Sequence, residues 1–368
     1  MEELDGLLSW LVRDLVRGLK QTKSREFKVV VMPDFFIDRF VTYQGDLKQF
    51  SAALAKVVER RGGNIHGVKQ MELRGGNAAN TAAALASLGA SVYPIITTDV
   101  FGLHFLEFHL GPLGVNLSHV KSDGKIGLTT ALEITDRGER VNVMMGALGS
   151  LPLFGPEDLA ERDFRLLQQV DYVGVFNWAA TSKRGTELAE DVFRYVKEEG
   201  KGKTYFDSGD PTPNKTSIPK LFKNVLKTRL LDILSVNENE AFQYASQFDK
   251  SIAKLRGRAD HSEVAKECAR ILARNLTARV DLHTAAFSGS FTRENEVIVP
   301  GFSVKSLRST GAGDSWNAGN IYGDALKLPD SCRLMLANAV AGYYISSPRA
   351  EHPTPQRLIE FCQERARG

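Results

Sequence analysis

Cysteine is scarce: three in 368 residues, Cys268, Cys332 and Cys362, with no C-x-x-C pair. That odd, scattered set excludes a disulfide framework and a zinc knuckle, and fits a reducing cytoplasmic setting. No apolar run approaches the roughly 18 to 20 residues of a membrane span. Charge of one sign is not in excess either. Lys and Arg number 47 against 44 Asp and Glu, a net +3. The balance argues against a nucleic-acid or membrane-surface protein, so an anionic ligand must be held locally. Seven histidines show no H-x-x-x-H or H-E-x-x-H spacing, which leaves a zinc hydrolase unsupported. The first strand ends in Met32-Pro33-Asp34 without a G-x-G-x-x-G, which disfavours a dinucleotide oxidoreductase. Gly202-Lys203-Thr204 mimics a P-loop tail, but Lys197 stands where the first glycine belongs. There is no internal repeat.

What remains, 43% apolar and 25% charged, is the composition of a globular domain, long enough for one large core with an appendage. The appendage comes first. Leu4, Leu7, Leu8, Leu11, Val12, Leu15, Val16 and Leu19 recur at helical spacing, with Asp5, Arg13, Asp14, Arg17 and Lys20 opposite. This predicts an amphipathic helix within residues 1–26, packed on its own domain or a dimer mate in preference to a membrane. Residues 27–368 read as one unit. Short apolar runs at Lys28–Met32, Asp171–Phe176, Thr204–Asp207, Leu231–Val236 and Val280–Phe287 alternate with helical periods. Those periods fall at Asn77–Leu88, Asp158–Gln169, Glu187–Glu199, Glu238–Gln247 and Glu263–Asn275. The alternation predicts an α/β fold whose mostly parallel sheet is covered on both faces. Two segments interrupt it: about 35–73, with a strand-like Phe40–Tyr43 and a helical Ala52–Arg61, and about 125–146, a hairpin turning at Asp136-Arg137-Gly138. Both suit a small β lid at the sheet's edge.

The most specific stretch is Ser309-Thr310-Gly311-Ala312-Gly313-Asp314, between a strand-like Val297–Val304 and a helical run to Ala325. The amides of Gly311, Ala312 and Gly313 would form an anion site at a helix N-terminus, and Asp314 beside them could act as general base toward a hydroxyl. The plainer reading is a strand-to-helix turn with Asp314 as a first-turn acid. A second glycine pair, Gly75-Gly76, opens a helix of small residues in which Asn77 and Asn80 could hydrogen-bond a polyol. Alternatively Asn77 is an N-cap; Gly89 suits the C′ position.

Together these two segments resemble the signature patterns of the ribokinase-like, or PfkB, carbohydrate kinases. Thr98–Gly102, Gly114–Val120, Ala337–Ala339 and Asn237-Glu238-Asn239-Glu240 add to the likeness. The resemblance implies a three-layer α/β/α core with a β lid, and phosphoryl transfer from ATP or, as in some related archaeal kinases, ADP. The acceptor would be a sugar, sugar phosphate or nucleoside. It implies Asp314 as the base, Gly311–Gly313 around the transferred phosphoryl, and Asn237 and Glu240 acting through Mg²⁺ and its waters. Asp38, with Gly75, Gly76, Asn77 and Asn80, would hold the acceptor. Thr284, Gly289, Thr310 and Asn338 would join Asn237 and Glu240 on the nucleotide side, and Asp207–Pro211 would lend support. A homodimer through the lid is a further implication.

The chain also departs from the pattern. Pro33 replaces the usual first-strand glycine, Arg308 an acid, and Ala286 a glycine of the nucleotide loop spanning Thr284–Gly289, with His283 just before it. Arg39, Arg74, Lys125, Arg137 and Arg140 lie in or near the lid and could hold an acceptor phosphate, or be solvated. Phe35, Phe36, Phe40 and Tyr43 could equally stack on a nucleoside. A catalytically silent sugar-binding or regulatory protein on the same fold is the alternative from another class; such a protein has no use for a base beside an anion site.

Overall fold

The computed structural model describes residues 2–21, 26–137, 139–254, 260–308 and 310–365. Gly138 and Ser309 fall outside them, as do the side chains of Leu4, Asp5, Leu7, Leu8 and Arg140. The chain begins with α1 (Glu2–Gln21), β1 (Lys28–Met32), β2 (Phe36–Asp46), α2 (Leu47–Glu59), β3 (Lys69–Gly75), α3 (Asn77–Ser87), β4 (Ser91–Pro94) and α4 (Val100–Leu110). There follow β5 (Gly127–Asp136), β6 (Glu139–Ala147), α5 (Glu161–Leu167), β7 (Tyr172–Phe176), α6 (Gly185–Glu199), β8 (Lys203–Asp207) and α7 (Ile218–Leu221). The last part holds β9 (Ile233–Val236), α8 (Glu238–Ala245), α9 (His261–Asn275), β10 (Arg279–His283), β11 (Phe287–Phe291), β12 (Glu296–Pro300), α10 (Ala312–Ala325), α11 (Asp330–Ser346) and α12 (Pro355–Arg365).

Eight strands form the central sheet in the order β12-β11-β10-β9-β8-β7-β1-β4. The six from β4 to β10 run parallel, and β11 and β12 return antiparallel. Strand periodicity sorts each side chain to a face. In β1, Val30 and Met32 join the core under α5 to α9, whereas Val29 and Val31 join the core under α3, α4 and α10. Both faces are therefore apolar, as a strand buried in a three-layer fold requires.

Helix α1 lays Leu11, Val12, Leu15 and Val16 against α11 and α12, so this part of its stripe is covered by its own chain. Small residues bring α10 and α11 together: a Cβ on Gly319 would stand 2.7 Å from the Cα of Ala337. The lid is a four-stranded sheet ordered β3-β2-β5-β6, with β2 parallel to β5.

Several boundaries differ from the sequence expectation: the helix expected over Ala52–Arg61 spans Leu47–Glu59, and the strand-like Val297–Val304 ends at Pro300. The run Val280–Phe287 is two strands, because the Thr284 hydroxyl accepts from the amides of Ala286 and Phe287 and closes a reversal there. The helix expected over Asp158–Gln169 is shorter: Asp163 accepts from the Ala160 amide and starts α5 late. Strand β4 gave no sequence signal, since four residues ending in proline carry too little pattern.

Candidate active site

Helix α10 begins at Gly311, whose φ of 82° lies in the left-handed region that glycine tolerates. A Cβ there would also meet the Tyr344 ring at 2.9 Å. The following first-turn amides have no intrahelical acceptors, the arrangement that binds anions at helix N-termini in general. Asp314 sits in that first turn, 7% exposed. Its Oδ2 accepts from the Asn80 side-chain amide at 2.9 Å, and its Oδ1 has no partner among the described residues. Burial pushes its pKa well above the ordinary range; Asn80 and Arg74 act the other way, and Asp207 and Asp34 add to the rise. A carboxylate so placed is a stronger proton acceptor than an exposed one.

On the acceptor side, β2 carries Asp38, whose pKa burial pushes up to about 6. Gly75 makes room for it, for a Cβ at that position would fall 2.2 Å from Asp38 Oδ2. Asp38, Asn80, Thr310, Arg74 and Tyr344 share a cavity of about 680 Å³ that also reaches Lys69, Glu133 and Asn142 in the lid. Asp314 stands one hydrogen bond behind this wall, through Asn80.

Two expectations change here. Asn80 donates one amide N–H to Asp314 and accepts from Nε of Arg74, so it also orients the acid, a task beyond the polyol contact expected of it. Asn77 is not an N-cap: Gly76 holds that position, and the amides of Asn77 and Ala78 donate to Asp34 at 2.8 Å each. Asp34, which also accepts from Asn177, caps α3 from the end of β1. Its only trace in the sequence is an acid directly after the first apolar run.

Across the cradle, Asn237 and Glu240 form a reciprocal capping box at the start of α8. Glu240 is no surface acid but 3% exposed, and burial, reinforced by Asp207 and Asp210, pushes its pKa far up. Asp207, fully surrounded, accepts from the Gly209 amide and from Asn317. Asp207 raises both Glu240 and Asp314, so one acidic wall runs from α8 to α10. Oxygen donors that destabilise each other's charge suit a hard cation. Among the described residues, no three His, Cys, Asp or Glu converge into a group that could hold a metal directly.

His283 packs on Trp316 with centroids 4.9 Å apart and the rings tilted by 30°, its Cε1 3.3 Å from where a Gly313 Cβ would lie. Burial drives its pKa down to about 4, and its buried Nε2 has no partner.

Other nucleotide-side residues are occupied. Gly289 lies inside β11, where its missing side chain accommodates the ring of Phe291, and only Thr284–Ala286 remain as a turn. The Asn338 side chain accepts from Ser288 and Trp316 and donates to the Pro300 carbonyl, tying α11 to the sheet. Arg308 donates to the carbonyls of Tyr344, Ser347 and Pro348 at the end of α11, a task that explains an arginine in place of an acid.

Residues 49–357 match the family model for pfkB family carbohydrate kinases. The match leaves out β1 and Asp38. No curated protein matches the sequence. Among solved structures, adenosine kinase from Sinorhizobium meliloti superposes with a TM-score of 0.68 at 19% identity, over 92% of this chain and 99% of that one. Arabidopsis thaliana ribokinase complexed with ribose and ATP gives 0.66 at 17% identity, over 92% and 99%. Fructokinase from Xylella fastidiosa with bound ATP gives 0.65 at 19%, over 91% and 98%. At such identities the likeness is one of fold: ribokinase-like, with a mostly parallel central sheet.

Proposed function

The chain belongs to the pfkB family of carbohydrate kinases, and from that premise we propose that it transfers a phosphoryl group from ATP or ADP to a hydroxyl of a sugar, sugar phosphate or nucleoside. The observation that carries this reading is Asp314: a buried carboxylate with one free oxygen, in the first turn of a helix whose N-terminal amides are open. Phosphoryl transfer is mainly positioning and charge neutralisation, and that pairing supplies both.

In this reading Asp38 accepts hydroxyl protons of the acceptor and fixes its orientation at the cavity wall. Asp314 Oδ1 takes the proton of the attacking hydroxyl while Asn80 holds Oδ2. The amides from Gly311 to Gly313 carry the charge of the transferred group, and the unpartnered Nε2 of neutral His283 can donate to a phosphate oxygen beside them. Asp207 and Glu240 would hold Mg²⁺ through water, and that ion, when bound, neutralises the polyphosphate. Leu128, Val143 and Met145 stand about half exposed on the lid, which supports a second copy of this chain as their cover.

The deciding experiment is a coupled assay that crosses ATP and ADP with free sugars, nucleosides and their phosphates. Asp314→Asn should lower turnover on the order of 10² to 10⁴, the usual worth of a general base, with nucleotide affinity unchanged. Sugar binding without consumption of any nucleotide would favour a silent sensor.

A further inference from the structure

Five cations of the lid region could hold an anion, and the structure separates them. Arg39 pairs with Glu72 at an exposed edge. Lys125 and Arg137 are exposed, and the Arg140 side chain lies outside the described residues. Arg74 alone of the five lines the cavity, on β3 opposite Ile37 and next to Asp38.

Its partners are all neutral. Nε donates to Oδ1 of Asn80 at 3.2 Å, and Nη2 faces Nε2 of His352 at 3.4 Å. Burial, with Arg74 nearby, holds the His352 pKa well below its ordinary value, so this imidazole is uncharged and its Nε2 accepts. Nδ1 of His352 then faces the Ser315 hydroxyl at 3.4 Å, and that hydroxyl donates to the Gly311 carbonyl at 2.8 Å. The ring of His352 lies flat on Tyr344, 4.5 Å between centroids. The guanidinium is thus fixed from behind by a chain of hydrogen bonds that ends at the cradle.

Among the described residues no carboxylate comes within 4.0 Å of Arg74, and both N–H bonds of Nη1 lack a protein acceptor. A guanidinium partly withdrawn from water with no carboxylate in contact is unfavourable, Asp314 and Tyr344 acting on it only from a distance, and its planar fork matches an oxyanion. The nearby Asp314 is committed to Asn80 and does not close an ion pair with it.

We propose that Arg74 is the receptor for an anionic group on the acceptor, so that the preferred substrate is a polyol bearing a phosphate or carboxylate and not a neutral sugar or nucleoside. The inference rests on the kinase reading above and narrows it. Asp38 takes the hydroxyls, Arg74 takes the oxyanion, and the distance between them selects the acceptor's length.

The test is steady-state kinetics of the wild type, Arg74→Lys and Arg74→Gln on free pentoses and hexoses, their monophosphates and the matching aldonates, with thermal melts to confirm folding. The wild type should show kcat/KM at least 100-fold higher for a charged acceptor than for its neutral parent. Arg74→Gln should cut that ratio at least 30-fold, mainly through KM, and Arg74→Lys should restore part of it. Monophosphates preferred over aldonates identify phosphate as the group read; equal use identifies charge alone. An equal fall in kcat for charged and neutral acceptors, with the ratio intact, would put Arg74 on the transferred phosphoryl and overturn the proposal. Turnover of neutral acceptors only would overturn it while sparing the kinase reading. If no acceptor is consumed, calorimetric titration with a sugar monophosphate decides: binding that Arg74→Gln weakens keeps the receptor and sinks the kinase, and no binding sinks the receptor too.

Discussion

The side-chain amide of Asn80 donates to Oδ2 of Asp314 across 234 positions of sequence, at 2.9 Å. The contact joins α3, which leaves the lid, to α10, which carries the cradle. Thr81 repeats the tie by donating to the Asp314 carbonyl at 3.3 Å. An acid raised by burial is thereby held in one orientation with one oxygen free, and the same amide lowers its pKa again.

Asn80→Ala should therefore do two things to turnover. Losing a hydrogen bond to a charged group, worth about 1.5 to 3 kcal/mol, should lower kcat by roughly 10- to 100-fold. Removing a donor that favours the ionised form should also move the acid limb of the kcat profile to higher pH. Rates measured from pH 5 to 9 check both; a uniform loss with an unmoved limb would make Asn80 a packing residue only.

Gly311→Ala should damage the cradle directly. A left-handed φ costs a non-glycine residue about 1 to 2 kcal/mol, and the new Cβ meets Tyr344 at 2.9 Å. The expected outcome is a melting temperature lower by several degrees together with a fall in kcat of at least 100-fold. A stability loss with normal turnover would show that these amides do not face the reacting group.

Much of this fold is legible in the sequence because its signals are local. Apolar runs such as Val29–Met32 can only be buried strands, and Gly311 and Gly313 announce a close approach to the backbone. The site is less legible, because its decisive contacts join distant segments. Asp34 caps α3 from another element, and nothing in the local pattern around residue 34 reports that. His352 lies on an irregular stretch before α12, without periodicity, so its stack on Tyr344 and its contact with Arg74 exist only in three dimensions. Gly289 and Asn338 show the converse. Their residue types suggest a ligand site, and the structure adds structural tasks that the sequence does not announce: Gly289 inside a strand beside the Phe291 ring, and Asn338 tied to Ser288, Trp316 and Pro300.

Asp38 should reveal the tension between function and stability. Its folded pKa of about 6 exceeds the ordinary value, so the folded state binds the proton more tightly than the unfolded chain does. The stability this gives is full below pH 4 and is lost as the pH rises through about 6. Asp38→Asn should then raise stability near pH 7.5 by roughly 2 to 3 kcal/mol, with the gain vanishing at pH 4. The same variant should raise the acceptor KM at least 10-fold. Melts at the two pH values and acceptor saturation curves test the pair of effects.

Behind the cradle, Arg333 is 1% exposed and ties α11 to β10 and β11 through Asp281 at 3.0 Å and Ser290 at 2.9 Å, with Asp330 and Asn320 as further partners. Burial alone would raise the Asp281 carboxyl, but Arg279 and Arg333 hold it below its ordinary value. Without Arg333, Asp281 keeps Arg279 at 3.0 Å, so the loss should stay at or below about 3 to 5 kcal/mol, the cost of breaking a buried pair outright. Arg333→Met should accordingly lower the unfolding free energy by up to that amount, read from denaturant melts, and removing Arg279 as well should deepen the loss because Asp281 would then have no cation. Turnover of Arg333→Met, measured well below its melting temperature, should stay near wild type, since none of these groups lines the cavity. A large loss of turnover in a folded Arg333→Met would mean that the α10–α11 contact sets the cradle's position, and that the scaffold and the chemistry are coupled through this arginine.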